Sequence, residues 1–181
     1  MMPISVHSMN FLYNFKNMET LVKTASLNEV KDELQSLPPS QILAICLRLA
    51  KFKKENKELL TYLLFEAHDL SAYIKTVKQE IDLLFTEINK SNLYFAKKTI
   101  RKILRTTNKY IRYTGSKQAE TELLLHFCIA LQSSGISIKK NVALTNLYAN
   151  QVKKIEKAMS SLHEDLQYDY LKLFEQVRGK M

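Results

Sequence analysis

The sequence predicts an all-α fold: seven or eight helices in antiparallel hairpins, packed as a compact bundle or a short stacked helical-repeat-like array. Three observations predict it. The 181 residues hold only three Gly and three Pro, too few for the tight turns that join many short strands. Apolar residues recur at helical spacing from about Met18 onward. The segments between those runs are short, which makes neighbouring helices antiparallel. Hydrophobic residues make up 46% of the chain and charged residues 25%, the balance of a globular protein with one sizeable core. Residues 18–181 therefore read as a single helical domain, and 1–17 as an irregular leader.

The elements follow in order. Ser26 and Glu29 stand three apart, as in a capping box, and open a short helix to about Ser36. Pro38 and Pro39 break it, and a Pro suits the first turn of the next helix. That helix carries Ile42, Leu43, Cys46, Leu47, Leu49, Ala50 and Phe52 as a broad apolar face, with a junction at Lys53 to Asn56. Leu59, Leu60, Leu63, Leu64 and Ala67 form a further apolar stripe. Asp69 caps a helix bearing Ile74, Val77, Ile81, Leu84, Phe85 and Ile88.

Ser91 and Asn92 open the next helix, whose inner face is Leu93, Ala96, Ile100, Ile103, Leu104, Thr107 and Ile111. Gly115 ends it in the position that favours a left-handed backbone. Ser116 starts another helix with Leu123, Leu124, Phe127, Cys128 and Leu131 inward, and Gly135 closes it. Ile136 to Lys140 reads as a short extended connector, and Val142 to Met159 as helix. Ser161 and Glu164 have capping-box spacing, so the last helix is expected to start there and reach about Val177; one continuous helix from Val142 is the competing reading. Helix pairs recur roughly every 40 residues without repeating residue identity, and neither the tetratricopeptide nor the ankyrin signature is present.

The charge is distributed unevenly. Between Lys90 and Lys117 stand nine Lys and Arg and no Asp or Glu, against a net charge of +9 for the whole chain. The rest of the protein therefore sums to zero. At about 100° per residue, Lys98, Arg101, Lys102, Arg105, Lys109 and Arg112 fall opposite the apolar face, with Tyr94 and Tyr113 on the basic side. Such a stripe can track a phosphate backbone and stack a base. The plainer reading is a solvated face, or one neutralised inside the protein by the acidic stretches Glu66 to Glu87 and Glu164 to Asp169. Continuity of the stripe with Lys139, Lys140, Lys153, Lys154 and Lys157 would favour a nucleic acid; internal ion pairing would favour a protein-interaction module. A membrane surface is disfavoured, because the apolar face of this helix is needed for the core and contains no Trp.

No residue is assigned a catalytic, cofactor-binding or metal-binding role. His7, His68, His126 and His163 lack ligands at metal spacing, and His126 and Cys128 point to nearly opposite sides of a helix. There is no phosphate loop or nucleophile elbow. Cys46 and Cys128 are far apart in apolar runs and form no disulfide framework, which fits a reducing, cytoplasmic compartment. The acidic, aromatic segment Leu162 to Tyr170 could receive a basic partner, including the basic helix of the same chain or of a second copy in a homo-oligomer.

Three runs, Asn56-Lys-Glu-Leu-Leu-Thr-Tyr-Leu-Leu, Ala96-Lys-Lys-Thr-Ile-Arg-Lys-Ile-Leu and His163-Glu-Asp-Leu-Gln-Tyr-Asp-Tyr, resemble an uncharacterised family of small bacterial all-helical proteins. The resemblance spans Leu27 to Tyr170 and implies a helical fold with no activity attached. The sequence thus leads to a non-enzymatic helical interaction module that binds another macromolecule through the 90–117 helix, with a sequence-nonspecific nucleic-acid-binding protein as the alternative.

Overall fold

The computed structural model describes residues 23–179. Among them are eight α-helices and no strand: α1 (Leu27–Ser36), α2 (Pro39–Phe52), α3 (Lys54–Thr61), α4 (Leu70–Thr86), α5 (Leu93–Thr114), α6 (Lys117–Ser133), α7 (Val142–Met159) and α8 (Glu164–Arg178). A π-helical turn, Tyr62–Glu66, follows α3. The expected leader, 1–17, lies outside the described residues. The chain divides into two compact units, Met1–Leu49 and Ala50–Met181.

Side chains at the helix ends account for most of the boundaries. The Ser26 hydroxyl accepts from the Glu29 N–H at 3.3 Å, and the Glu29 carboxylate accepts from the Ser26 N–H at 2.7 Å. Asp69 accepts from the Ala72 N–H at 2.9 Å, and Asn92 from those of Tyr94 and Phe95. Each satisfies backbone donors that a helix start leaves unpaired. Gly115 sits at φ 60°, where a Cβ would strain the backbone, and its N–H closes onto the Ile111 carbonyl at 3.2 Å.

In the larger unit the organising element is α6. Leu123, Leu124 and Leu125 are consecutive, so their side chains leave the helix about 100° apart, yet all three are buried. Ala119, Thr121, Phe127, Cys128 and Leu131 are buried as well. A helix apolar around most of its circumference must be covered on most sides, and α4, α5, α7 and α8 all pack against it. One helix shared by four neighbours makes a compact bundle, not a stacked array. Ile74, Val77, Ile81 and Phe85 come from α4, Ile100 and Ile103 from α5, Leu144, Val152 and Ile155 from α7, and Phe174 and Val177 from α8. Leu104, expected fully inside, lies at the core margin. Two hydroxyls that enter the core donate to backbone carbonyls, whereas the side-chain oxygens of Gln132 and Gln151 are buried without a partner among the described residues. The Thr107 hydroxyl donates to the Ile103 carbonyl at 3.0 Å, and Tyr148 to the Val177 carbonyl at 2.7 Å.

Four expectations are corrected. The apolar stripe through Leu63, Leu64 and Ala67 is exposed, because the Ala67 N–H reaches back five residues to the Tyr62 carbonyl. That wider turn shifts the helical phase and turns Tyr62 inward instead. In α2, Leu43, Leu47, Leu49 and Phe52 are exposed and no residue is buried; its apolar residues leave the helix on more than one side, more than one neighbouring helix can cover. Ile136 to Lys140 is not a plain extended connector: it ends in a turn, with the Asn141 N–H on the Ile138 carbonyl at 3.1 Å. Ser161 forms no capping box, since its hydroxyl donates back to the Ala158 carbonyl at 2.7 Å. The break between Met159 and Glu164 also excludes the continuous helix. The cap of α8 is His163, whose Nδ1 accepts from the Asp165 N–H at 3.4 Å.

The packing sets two measurable outcomes. Ile103→Ala removes a side chain that is 1% exposed and should cost about 2–5 kcal/mol in urea unfolding. Leu43→Ala, at a residue 61% exposed, should stay within about 0.5 kcal/mol. The cysteines should also separate. Cys128 is buried, and burial pushes its thiol up to about 12, so a thiol reagent should label it only after unfolding. Cys46 is half-buried and should react in the native protein.

Candidate functional site

Helix α5 holds one face against α6 and α4 and turns the other outward. Ala96, Ile100, Ile103 and Thr107 are buried; Lys98, Arg101, Lys102, Arg105 and Arg112 are exposed. Taken at 100° per residue, Tyr94 and these five cations fall within an arc of about 100°. Among the described residues, none of the five cations has a carboxylate within ion-pair distance. Long cationic side chains at i and i+4, such as Lys98 and Lys102 or Arg101 and Arg105, repel one another by a few tenths of a kcal/mol. The fold therefore gains nothing from this arrangement.

Lys109 lines the larger groove of the outward face, but unlike the five cations it is engaged by a carboxylate, as is Tyr113. Glu58 of α3 meets them both. Lys109 Nζ sits 2.7 Å from a Glu58 carboxylate oxygen, and the Tyr113 hydroxyl donates to the same oxygen at 2.9 Å. Lys109 also lies over the Tyr110 ring, 4.8 Å from its centroid. The Lys109 hydrogen bond holds the Glu58 carboxyl below its ordinary value against a desolvation that raises it. Burial and the Glu58 carboxylate push the Tyr113 hydroxyl up. The neighbouring Tyr110 donates to both oxygens of Glu80, at 2.9 and 2.8 Å. These three residues lock α5 to α3 and α4.

Neither acidic stretch neutralises the remaining cations. Glu80 is taken by Tyr110, and Asp82 lies 2.7 Å from His126 Nε2. No ion pair joins α8 to α5 among the described residues, and Tyr168 on α8 is exposed. Inside the bundle, burial raises Glu122, but hydrogen bonds from Lys78 at 2.7 Å, Tyr170 at 2.7 Å and Gln118 outweigh it and leave the carboxyl below its ordinary value.

Two open grooves run along the outward face. The larger, about 1040 Å³, brings Lys102, Arg105, Arg112 and Lys117 of the 90–117 segment together with Lys154 from α7. Glu55 and Glu120 are its acidic members, and Glu120 is paired to Lys117 at 2.7 Å. The second, about 520 Å³, is bounded by Tyr94, Lys97, Lys98, Arg101, Leu104 and Arg105. Arg105 borders both. Of the lysines whose continuity with the stripe would favour a nucleic acid, Lys154 lines the larger groove; Lys139, Lys140, Lys153 and Lys157 are exposed and line neither groove. Sequence reasoning missed Glu58 as the acceptor for Lys109, and Leu104 as a groove wall.

Among the described residues no group of three or more His, Cys, Asp and Glu is placed to hold a metal ion, and no helix is long and apolar enough to cross a membrane. No family model, curated protein or solved structure matches the chain.

The depressed carboxyls of Glu58 and Glu122 fix the sign of an acid response. A group whose folded value lies below its unfolded value stabilises the fold above the unfolded value, and loses that contribution as pH falls through the folded one. Glu58 and Glu122 both behave this way. Thermal midpoints measured from pH 6 down to about pH 3 should fall, and the fall should be shallower in Glu58→Gln and Glu122→Gln than in the parent.

Proposed function

We propose that this protein is a non-enzymatic helical interaction module whose α5 face binds a macromolecular polyanion, and that the partner is a nucleic acid held through its phosphates. The observation that carries the reading is the set of five cations, Lys98, Arg101, Lys102, Arg105 and Arg112, that no carboxylate of the described residues pairs. Their extension across to Lys154 supports it further, since the basic groove then spans two helices. A phosphate backbone is a linear array of charge, and a row of long cationic side chains follows it without reading sequence. Binding of this kind needs no metal or cofactor. A protein partner with an acidic surface is the second reading. It is favoured by the exposed acids on α8, Glu164, Asp165 and Asp169, through which a second copy could pair with α5. Two unbridged cysteines fit a reducing, cytoplasmic setting.

The test is the salt dependence of binding to a labelled oligonucleotide, followed by fluorescence anisotropy. Five phosphate contacts on a single strand should give a log–log slope of about −3.5, since each contributes about −0.7. Replacing Arg101 and Arg105 together by Ala should weaken binding for every sequence tried and make the slope shallower by about 1.4. An absence of binding at the lowest salt would contradict the reading and leave the protein partner.

A further inference from the structure

We infer that the nucleic acid is single-stranded, with one base stacked on Tyr94 and the following phosphates carried along α5; this rests on the polyanion reading above. Phosphates alone account for the cations but not for what stands beside them. Tyr94 is 67% exposed and Phe95 50%, although aromatic side chains supply much of the apolar area that folding hides. Their rings meet edge to face, with centroids 5.5 Å apart and planes at 77°. Phe95 thereby braces the Tyr94 ring from the side.

Tyr94 lines the smaller groove, and Leu104 contributes an apolar wall. Lys97, Lys98, Arg101 and Arg105 surround it. An aromatic plate and an aliphatic wall inside a cationic rim match a nucleotide: a flat apolar base joined to an anionic phosphate. At about 520 Å³ the groove falls in the range of small-ligand sites. The direction of the strand follows from the helix. Lys98 and Arg112 are 14 positions apart, about 21 Å at 1.5 Å per residue. Arg105 lies on both grooves, so a strand leaving Tyr94 passes it into the Lys102, Arg112 and Lys154 groove without a gap.

Duplex form is the poorer fit. In a duplex the base faces are covered by stacking, and a protein meets only their edges and the backbone. A single strand presents faces to an exposed ring, and every base has one, so the contact tolerates any sequence.

The experiment is anisotropy with labelled oligomers of about 12 nucleotides, as single-stranded DNA, single-stranded RNA and DNA duplex, on the full chain at low salt. The single strands should bind about tenfold or more tighter than the duplex. Tyr94→Ala should weaken single-strand binding by about 5- to 150-fold and leave duplex binding unchanged, and Tyr94→Phe should retain the parent affinity. Arg105→Ala should weaken both forms. Tyr94 is exposed, so these variants should fold, which circular dichroism checks. Duplex affinity equal to or above the single-strand value would overturn the inference while sparing the polyanion reading. So would a Tyr94→Ala variant with undiminished single-strand affinity. If no oligomer binds, the polyanion reading fails and this inference falls with it.

Discussion

Helix α6 is buried around most of its circumference, and the rest of the larger unit is arranged by the need to cover it. Three successive leucines, Leu123, Leu124 and Leu125, are all buried, with Phe127, Cys128 and Leu131 over the next two turns. Four helices close around them. Each of those four is amphipathic, so covering α6 decides which of its sides goes in and which is left for solvent. For α5 the answer is unambiguous. Ile100 and Ile103 are taken by the core, and every exposed cation of that helix is then turned outward at once.

That division separates stability from recognition along one helix. The inward side and its lower edge are occupied by structure: packing against α6, and the Glu58, Lys109 and Tyr113 contacts that tie α5 to α3. The upper side holds charge with no internal use. Neighbouring Lys and Arg raise the energy of the folded state slightly through mutual repulsion. An external anion removes that repulsion and brings its own attraction, stronger at low salt. The Tyr94 end adds an apolar contact that salt does not screen. One face thus offers both the electrostatic and the stacking component of binding to a phosphate-linked chain of bases.

Much of this was legible in the sequence, and what was not has identifiable causes. Caps are local, so Ser26, Asp69, Asn92, Ser116 and Gly115 could be read directly, and they stand at the boundaries observed. The two faces of α5 were legible because a long helix keeps its phase, except at Leu93 in its first turn, which was read as inward and is exposed. Ser161 misled because spacing alone does not say whether a hydroxyl bonds forward to a free N–H or back to a carbonyl, and here it bonds back to Ala158. Leu63 and Leu64 misled because one π turn breaks the periodicity from which their burial was inferred. Lys109 and Tyr113 could not be placed at all without the fold. The carboxylate that engages them lies 51 and 55 positions earlier, and no pattern within α5 points to it. The unit boundary after Leu49 falls inside α2, where neither composition nor a helix breaker marks it.

The central claim is that Lys98, Arg101, Arg105 and Arg112 serve no internal purpose, and the stability of a charge-reversed chain addresses it without any ligand. The measurement is the thermal midpoint, at low and at moderate salt, of the chain with all four changed to Glu. Reversal gives positions 98, 105 and 112 opposite-charge neighbours in Lys102 and Lys109 while positions 101 and 105 stay like-charged, so the variant should melt cooperatively close to the parent's midpoint at low salt, and any difference should shrink as salt is added. A midpoint lowered by more than about 4 °C, on the order of 1 kcal/mol for a chain of this size, would show that the fold uses these cations, and would contradict the account.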